Sequence, residues 1–120
     1  MADRVAELVR TEVTDDAIFL VIERPPANSL ALDLVAALDA ALDVAEREAP
    51  EHVLVVCSAV PGFFVAGADI KHMAEIDEAG FRAYGDSLRS AFDRLAAPER
   101  ISIAAVDGLA LGGGCELAMA

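Results

Sequence analysis

Basic residues are scarce in this 120-residue chain: nine Lys and Arg stand against 21 Asp and Glu, a net charge of −12. A nucleic-acid surface needs clustered cations, so that class of partner is excluded. Cysteine is scarce as well. Cys57 and Cys115 both lie inside apolar segments, which fits reduced cytoplasmic thiols better than a secreted disulfide framework. The opening MADRVAELVR is too charged for a signal peptide. No apolar run approaches the roughly 20 residues that cross a bilayer. His52 and His72 are isolated among polar residues and read as surface. No cluster of His, Cys and Asp has metal-ligand spacing. No Gly-x-Ser-x-Gly elbow occurs, and Ser102 falls inside a strand. There is no internal repeat and no low-complexity stretch.

What is abundant is apolar: 56% of the residues, enough for the core of one domain. Leu8 to Val13 and Ala17 to Glu23 predict a hairpin about Asp15-Asp16. Arg24 to Ser29 (RPPANS) breaks the second strand. Ser29 is expected to cap a helix reaching about Glu48, with Leu34, Leu38, Ala41, Leu42 and Ala45 at spacings of three and four. Pro50 ends it. Val53 to Ala59 is apolar on both faces, as a covered parallel strand would be. A loop is expected from Val60 to Gly67, then a short helix from Asp69 to Ile76. A longer helix over Gly80 to Ala96 carries Phe81, Tyr84, Leu88, Phe92 and Leu95 on one face. Glu75, Asp77 and Glu78 read as a solvated helix junction. Ile101 to Val106 is a second covered strand, and Gly112 opens a last helix. Strands separated by helices imply βαβ crossovers and an α/β class. That last helix has only about one turn before Ala120, so the chain reads as cut inside a larger fold.

The chemistry concentrates in two segments. The first, AVDGLALGGGCE at 105–116, runs an apolar strand into three glycines with a carboxylate just beyond. Without Cβ atoms, the backbone N–H groups there are approachable. The simpler reading is close strand–helix packing. A dinucleotide loop fails, because the sixth position from Gly112 is Leu117. A P-loop fails because Cys115 and Glu116 come directly after Gly114. Glu116 is either a dipole partner in a first helical turn or a general acid or base. The second segment, GFFVAGADIK at 62–71, has Gly67 for a tight turn and Asp69 to cap the short helix, and it bares the N–H of Ala68. Two such donors converging on one oxygen make an oxyanion hole. If the ligand carries phosphates, Arg24, Lys71 and Arg100 are the candidate cations.

FFVAGADIKHM at 63–73 and AAVDGLALGGGCELAMA at 104–120 resemble the two signature segments of the crotonase superfamily, the enoyl-CoA hydratases and isomerases. RPPANSL at 24–30 resembles the family's proline–asparagine turn before the first helix. The resemblance covers nearly the whole chain, in order. It implies the N-terminal part of a crotonase-like ββα spiral fold, residues 1–120 forming a partial domain. It implies an acyl-CoA thioester substrate, with coenzyme A entering as part of it and no permanently bound cofactor or metal. The thioester oxygen maps onto the N–H groups of Ala68 and Gly113. Glu116 maps onto one of two glutamates that hold and activate the water added across a trans-2-enoyl double bond. Ala66, Gly67, Asp69, Ile70 and Lys71 would line the coenzyme A path, with Ala27 nearby. Lys71 and Arg24 would offset phosphate charge. A homotrimer or hexamer is implied for a full-length form. The chain also departs from the pattern. The second glutamate would fall beyond Ala120, Asp107 stands where many members have Asn, and Ile101-Ser102 replaces a frequent Pro-Val. The implied activity is enoyl-CoA hydratase; a 3,2-enoyl-CoA isomerase or other crotonase reaction is the alternative. An inactive fragment or non-catalytic binding or assembly module is the reading from a different class.

Overall fold

The computed structural model describes residues 8–68, 75–97, 99–111 and 113–120, with the backbone alone described at Ala68, Gly113, Cys115 and Glu116. The predicted hairpin is present. β1 (Val9–Val13) pairs antiparallel with β2 (Ala17–Ile22). Its turn is closed locally: Thr14 N–H donates to Ala17 O at 2.8 Å, and Ala17 N–H donates to Thr14 Oγ1 at 3.1 Å. The other edge of β2 takes β4 (Val53–Ser58) in parallel, and β4 takes β7 (Ser102–Ala104) in parallel, giving the order β1-β2-β4-β7. The α/β class and the crossovers are both present in this arrangement.

Between β2 and β4 runs α1 (Leu32–Glu48), which buries Leu34, Val35, Ala37, Leu38, Ala41, Leu42 and Ala45 at the expected spacing. Its start corrects the sequence reading. The N-cap is Ala31, with no side-chain cap, and Ser29 belongs instead to β3 (Ser29–Leu30). β3 pairs in parallel with β6 (Gly67–Ala68), so strand pairing holds Ser29 extended two residues too early to cap. Asp33 serves the first turn, its carboxylate accepting from Leu34 N–H at 2.7 Å.

The expected loop from Val60 to Gly67 is not all loop. It contains β5 (Phe63–Val65), which pairs in parallel with β8 (Leu109–Ala110), and it ends in β6. Nor are β4 and β7 covered on both faces. Leu54 and Val56 are buried while Val53, Val55 and Cys57 are half-exposed, and Ile101 and Ile103 are exposed. β-Branched composition identified the strands, and alternation in burial shows one covered face.

Residues 69–74 of the expected short helix lie outside the described residues. α2 (Glu78–Leu95) is capped by Asp77, whose carboxylate accepts from Gly80 N–H at 2.7 Å. Asp77 is therefore a cap and not only a solvated charge. α2 buries Tyr84, Ala91 and Leu95 and half-buries Leu88 and Phe92, while Phe81 is exposed, outside the stripe assigned to it. Arg94 ties α2 to α1 through Asp39, Asp43 and Glu46 at 2.6, 2.8 and 3.2 Å. The Tyr84 hydroxyl donates to the Leu30 carbonyl in β3. The last element is α3 (Gly113–Met119). Gly112, expected to open it, lies outside the described residues. Among the described residues no helix is long and apolar enough to cross a membrane.

Candidate active site

The site is assembled by backbone, and Asn28 sits at its root. Asn28 is fully buried and takes a positive φ of 56°, a conformation that Asn tolerates better than most residues. Its Oδ1 accepts from Arg24 N–H at 2.7 Å. Its Nδ2 donates to Ser58 Oγ at 2.7 Å and to the Phe64 carbonyl at 2.8 Å. One side chain thus joins the 24–28 turn, the end of β4 and the middle of β5. Next to it, the Ala27 carbonyl accepts from Ala66 N–H at 3.1 Å. β3 then runs beside β6, Ser29 against Gly67 and Leu30 against Ala68. Gly67 carries φ 114°, open only to glycine at little cost, and this sets the turn into Ala68.

The glycine-rich segment closes on the same strand from the other direction. Leu111 N–H donates to the Val65 carbonyl at 3.2 Å, and Gly114 N–H turns back to Leu111 O at 2.8 Å. α3 then packs against β5, β6 and β8, with Leu117 in the core. Gly114 lies so close that a Cβ there would sit 1.8 Å from the Val65 carbonyl oxygen. No side chain fits in that space. Gly108, six residues earlier and just before β8, is also crowded: its Cβ would lie 2.6–2.8 Å from Gly62 C, Phe63 N and Gly62 O.

The structure therefore brings together Ala27, Ala66, Gly67, Ala68 and the start of α3, which carries Gly113 and Glu116. Asp69, Ile70 and Lys71 lie outside the described residues, as do His72 and the side chain of Glu116. The candidate cations separate. Arg24 stays at the site's turn, but its Nε is bound to Asp33 at 2.9 Å. Arg100 lies elsewhere. Its Nη2 donates to Ala45 O near the far end of α1, beside a cavity of about 230 Å³, while Nη1 finds no partner among the described residues. Asp33 and Ala45 are twelve positions apart on α1, about 18 Å at the usual rise, so Arg24 and Arg100 cannot serve one phosphate group. His52 is half-buried. Among the described residues no group of His, Cys, Asp and Glu could hold a metal ion. Cys57 is a free thiol. Burial pushes its pKa up, and the Glu12 carboxylate adds to that.

Sequence reasoning missed Asn28, Ser58 and Gly108. The positive-φ tolerance of Asn after Pro-Pro was a usable signal for the first. Nothing local marks Gly108, because the backbone it must clear lies some 45 residues earlier in the chain.

The model of the enoyl-CoA hydratase/isomerase family matches residues 14–120. The chain is 38% identical over 93 residues to human mitochondrial methylglutaconyl-CoA hydratase, covering 78% of this chain and 27% of that protein. It is 39% identical over 101 residues to the short-chain-enoyl-CoA hydratase of Clostridium acetobutylicum, covering 83% and 39%. Among solved structures, an enoyl-CoA hydratase from Bacillus anthracis superposes with a TM-score of 0.84 at 31% identity, covering 93% of this chain and 44% of that one. Human mitochondrial delta3-delta2-enoyl-CoA isomerase gives 0.85 at 25% identity, with 93% and 44% covered. The chain thus spans less than half the length of these relatives. The match over residues 14–120, together with its signature segments, places it in the enoyl-CoA hydratase/isomerase family of the crotonase superfamily.

Proposed function

We propose that this chain supplies the thioester-binding half of an enoyl-CoA hydratase site. The thioester oxygen of a trans-2-enoyl-CoA lies between the N–H groups of Ala68 and Gly113. These donors stabilise the enolate-like charge that develops as water adds, its oxygen bonding to C3 and a proton going to C2. Glu116 is the acid/base that handles the water's proton. Ala27, Ala66, Gly67, Asp69, Ile70 and Lys71 border the coenzyme A moiety, which enters as part of the substrate. No permanent cofactor takes part. The observation that carries the reading is the approach of Gly114 to the Val65 carbonyl, which sets the start of α3 against the strand leading to Ala68. The reading also includes a trimer or hexamer for a full-length form and a partial domain over residues 1–120. A cytoplasmic location belongs to it too, supported by the free Cys57, although the human hydratase relative is named as mitochondrial.

The test is a chimera in which residues 1–120 replace the matching part of the Clostridium acetobutylicum short-chain-enoyl-CoA hydratase. The chimera should hydrate crotonyl-CoA. Glu116→Gln in it should lower turnover about 10²–10⁴-fold while thioester binding persists; unchanged turnover sinks the assignment. The 120-residue chain alone should bind the thioester and turn over little. Isomerisation is the second reading, favoured by the equal fit to the human isomerase. A 3-enoyl-CoA offered to the same chimera separates the two. Neither binding nor turnover in either form would leave the non-catalytic module.

A further inference from the structure

We infer that Asn28 is a positioning residue for the oxyanion hole, fixing the backbone that presents the Ala68 N–H; this rests on the function proposed above. Asn28 is the buried polar side chain of the described core, with no exposed surface. It touches no part of the proposed reaction directly. Its amide instead grips the strand before Ala68 from below, through the Phe64 carbonyl. The neighbouring Ala27 carbonyl grips the same strand two residues on, at Ala66 N–H. β3 then holds Gly67 and Ala68 in register. Consecutive contacts along 27–30 thus set the backbone along 64–68.

The chemistry needs this residue type. The side chain must offer one acceptor, to Arg24 N–H, and two donors, to Ser58 Oγ and Phe64 O. Among side chains, only a primary amide has both, and glutamine is one methylene too long. The backbone also sits at φ 56°, which asparagine tolerates and β-branched residues do not. Asn28→Asp keeps the shape and the Arg24 bond, but an ionised carboxylate is acceptor-only and faces the Phe64 carbonyl oxygen. Protonated, it regains one O–H donor. Burial against the Phe64 carbonyl raises its pKa and the retained Arg24 N–H bond opposes this, so the neutral form gains as pH falls.

The experiment uses the 120-residue chain as wild type, Asn28→Ser, Asn28→Asp, and Leu38→Ala as a core-destabilised control. Leu38 is buried on α1 and has no hydrogen bond to the 64–68 strand. The first readout is amide hydrogen exchange at Ala66 without ligand. Loss of at least tenfold protection is expected in Asn28→Ser but not in Leu38→Ala, both measured well below their unfolding midpoints. The second is the absorbance of a bound dimethylaminocinnamoyl-CoA, which moves to longer wavelength when its thioester carbonyl is polarised. The wavelength shift should fall in Asn28→Ser with affinity changed less than tenfold, and in Asn28→Asp it should recover as pH falls. Wild-type Ala66 protection in Asn28→Ser, or equal loss in Leu38→Ala, overturns the inference. A wild-type chain that binds no probe overturns the proposed function instead, and the exchange arm still decides the role of Asn28.

Discussion

Gly114→Ala is the sharpest perturbation the fold offers. The added Cβ would lie 1.8 Å from the Val65 carbonyl oxygen, 2.6 Å from its carbon and 3.1 Å from the Val65 Cβ. Non-bonded heavy atoms settle at about 3.5 Å, so α3 must retreat by roughly 1.7 Å at that point. The atoms in the way are main-chain, so no rotamer change relieves the clash. Retreat stretches the Leu111 N–H bond to Val65 O, already 3.2 Å, and would displace the Gly113 N–H proposed above as an oxyanion donor. Overpacking of this kind costs about 1–3 kcal/mol of stability. Losing one oxyanion donor costs about 2.7–4 kcal/mol of barrier, or 10²–10³ in turnover. The two effects separate by assay. Urea unfolding of the chain reads the first, and crotonyl-CoA hydration by the chimera reads the second. The expected signature is a modest drop in stability with a disproportionate loss of turnover. Wild-type turnover in Gly114→Ala would refute the reasoning, because it would mean that α3 does not seat on Val65 as described.

Gly108→Ala meets the Gly62–Phe63 backbone at 2.6–2.8 Å and should lower stability by about 1–3 kcal/mol in urea unfolding; an unchanged midpoint would contradict the close β5–β8 approach. Asp77→Ala removes the cap on Gly80 N–H and should cost about 1 kcal/mol, read as a lower thermal midpoint with thioester binding intact. Cys57 should alkylate slowly at neutral pH in a Cys115→Ser background. Its raised pKa, set by burial and then by Glu12, keeps the thiol protonated, so the rate should climb only above the ordinary cysteine range near 8.5. A rate midpoint at or below that range would contradict the stated environment.

Much of the framework was legible because it is local. The hairpin, α1 and α2 arise from turn residues and from apolar spacing, and the strands of the main sheet from β-branched runs. The errors came where a distant partner decides. Ser29 has the side chain of a cap, but pairing with Gly67 holds it in a strand. The Val60–Gly67 segment looks like a loop because β5 and β6 find their partners in β8 and β3, far away in sequence. Phe81 fits the helical period yet faces solvent, since periodicity fixes a stripe without fixing its width. Val55 and Ile103 lie opposite each other on the open face of the sheet. Their apolar character was readable, but whether anything packs over them is a tertiary fact.

The acidic composition and the phosphate-bearing ligand proposed above are reconciled by position, not by total charge. Of the two described candidate cations, Arg100 is committed to the C-terminal end of α1. Arg24 stands in the same turn as Ala27 and Asn28, and its backbone N–H is held by the Asn28 amide. Its guanidinium is paired with Asp33, whose side chain is 44% exposed. Such a half-solvated pair is weak, about 0–1 kcal/mol. A ligand phosphate, with more charge and bidentate geometry for the guanidinium, can compete for it at little cost. Of the two described candidates, Arg24 is therefore the one that stands beside the turn proposed above to meet the thioester. The same amide that sets the Phe64–Ala68 backbone also fixes where that cation stands.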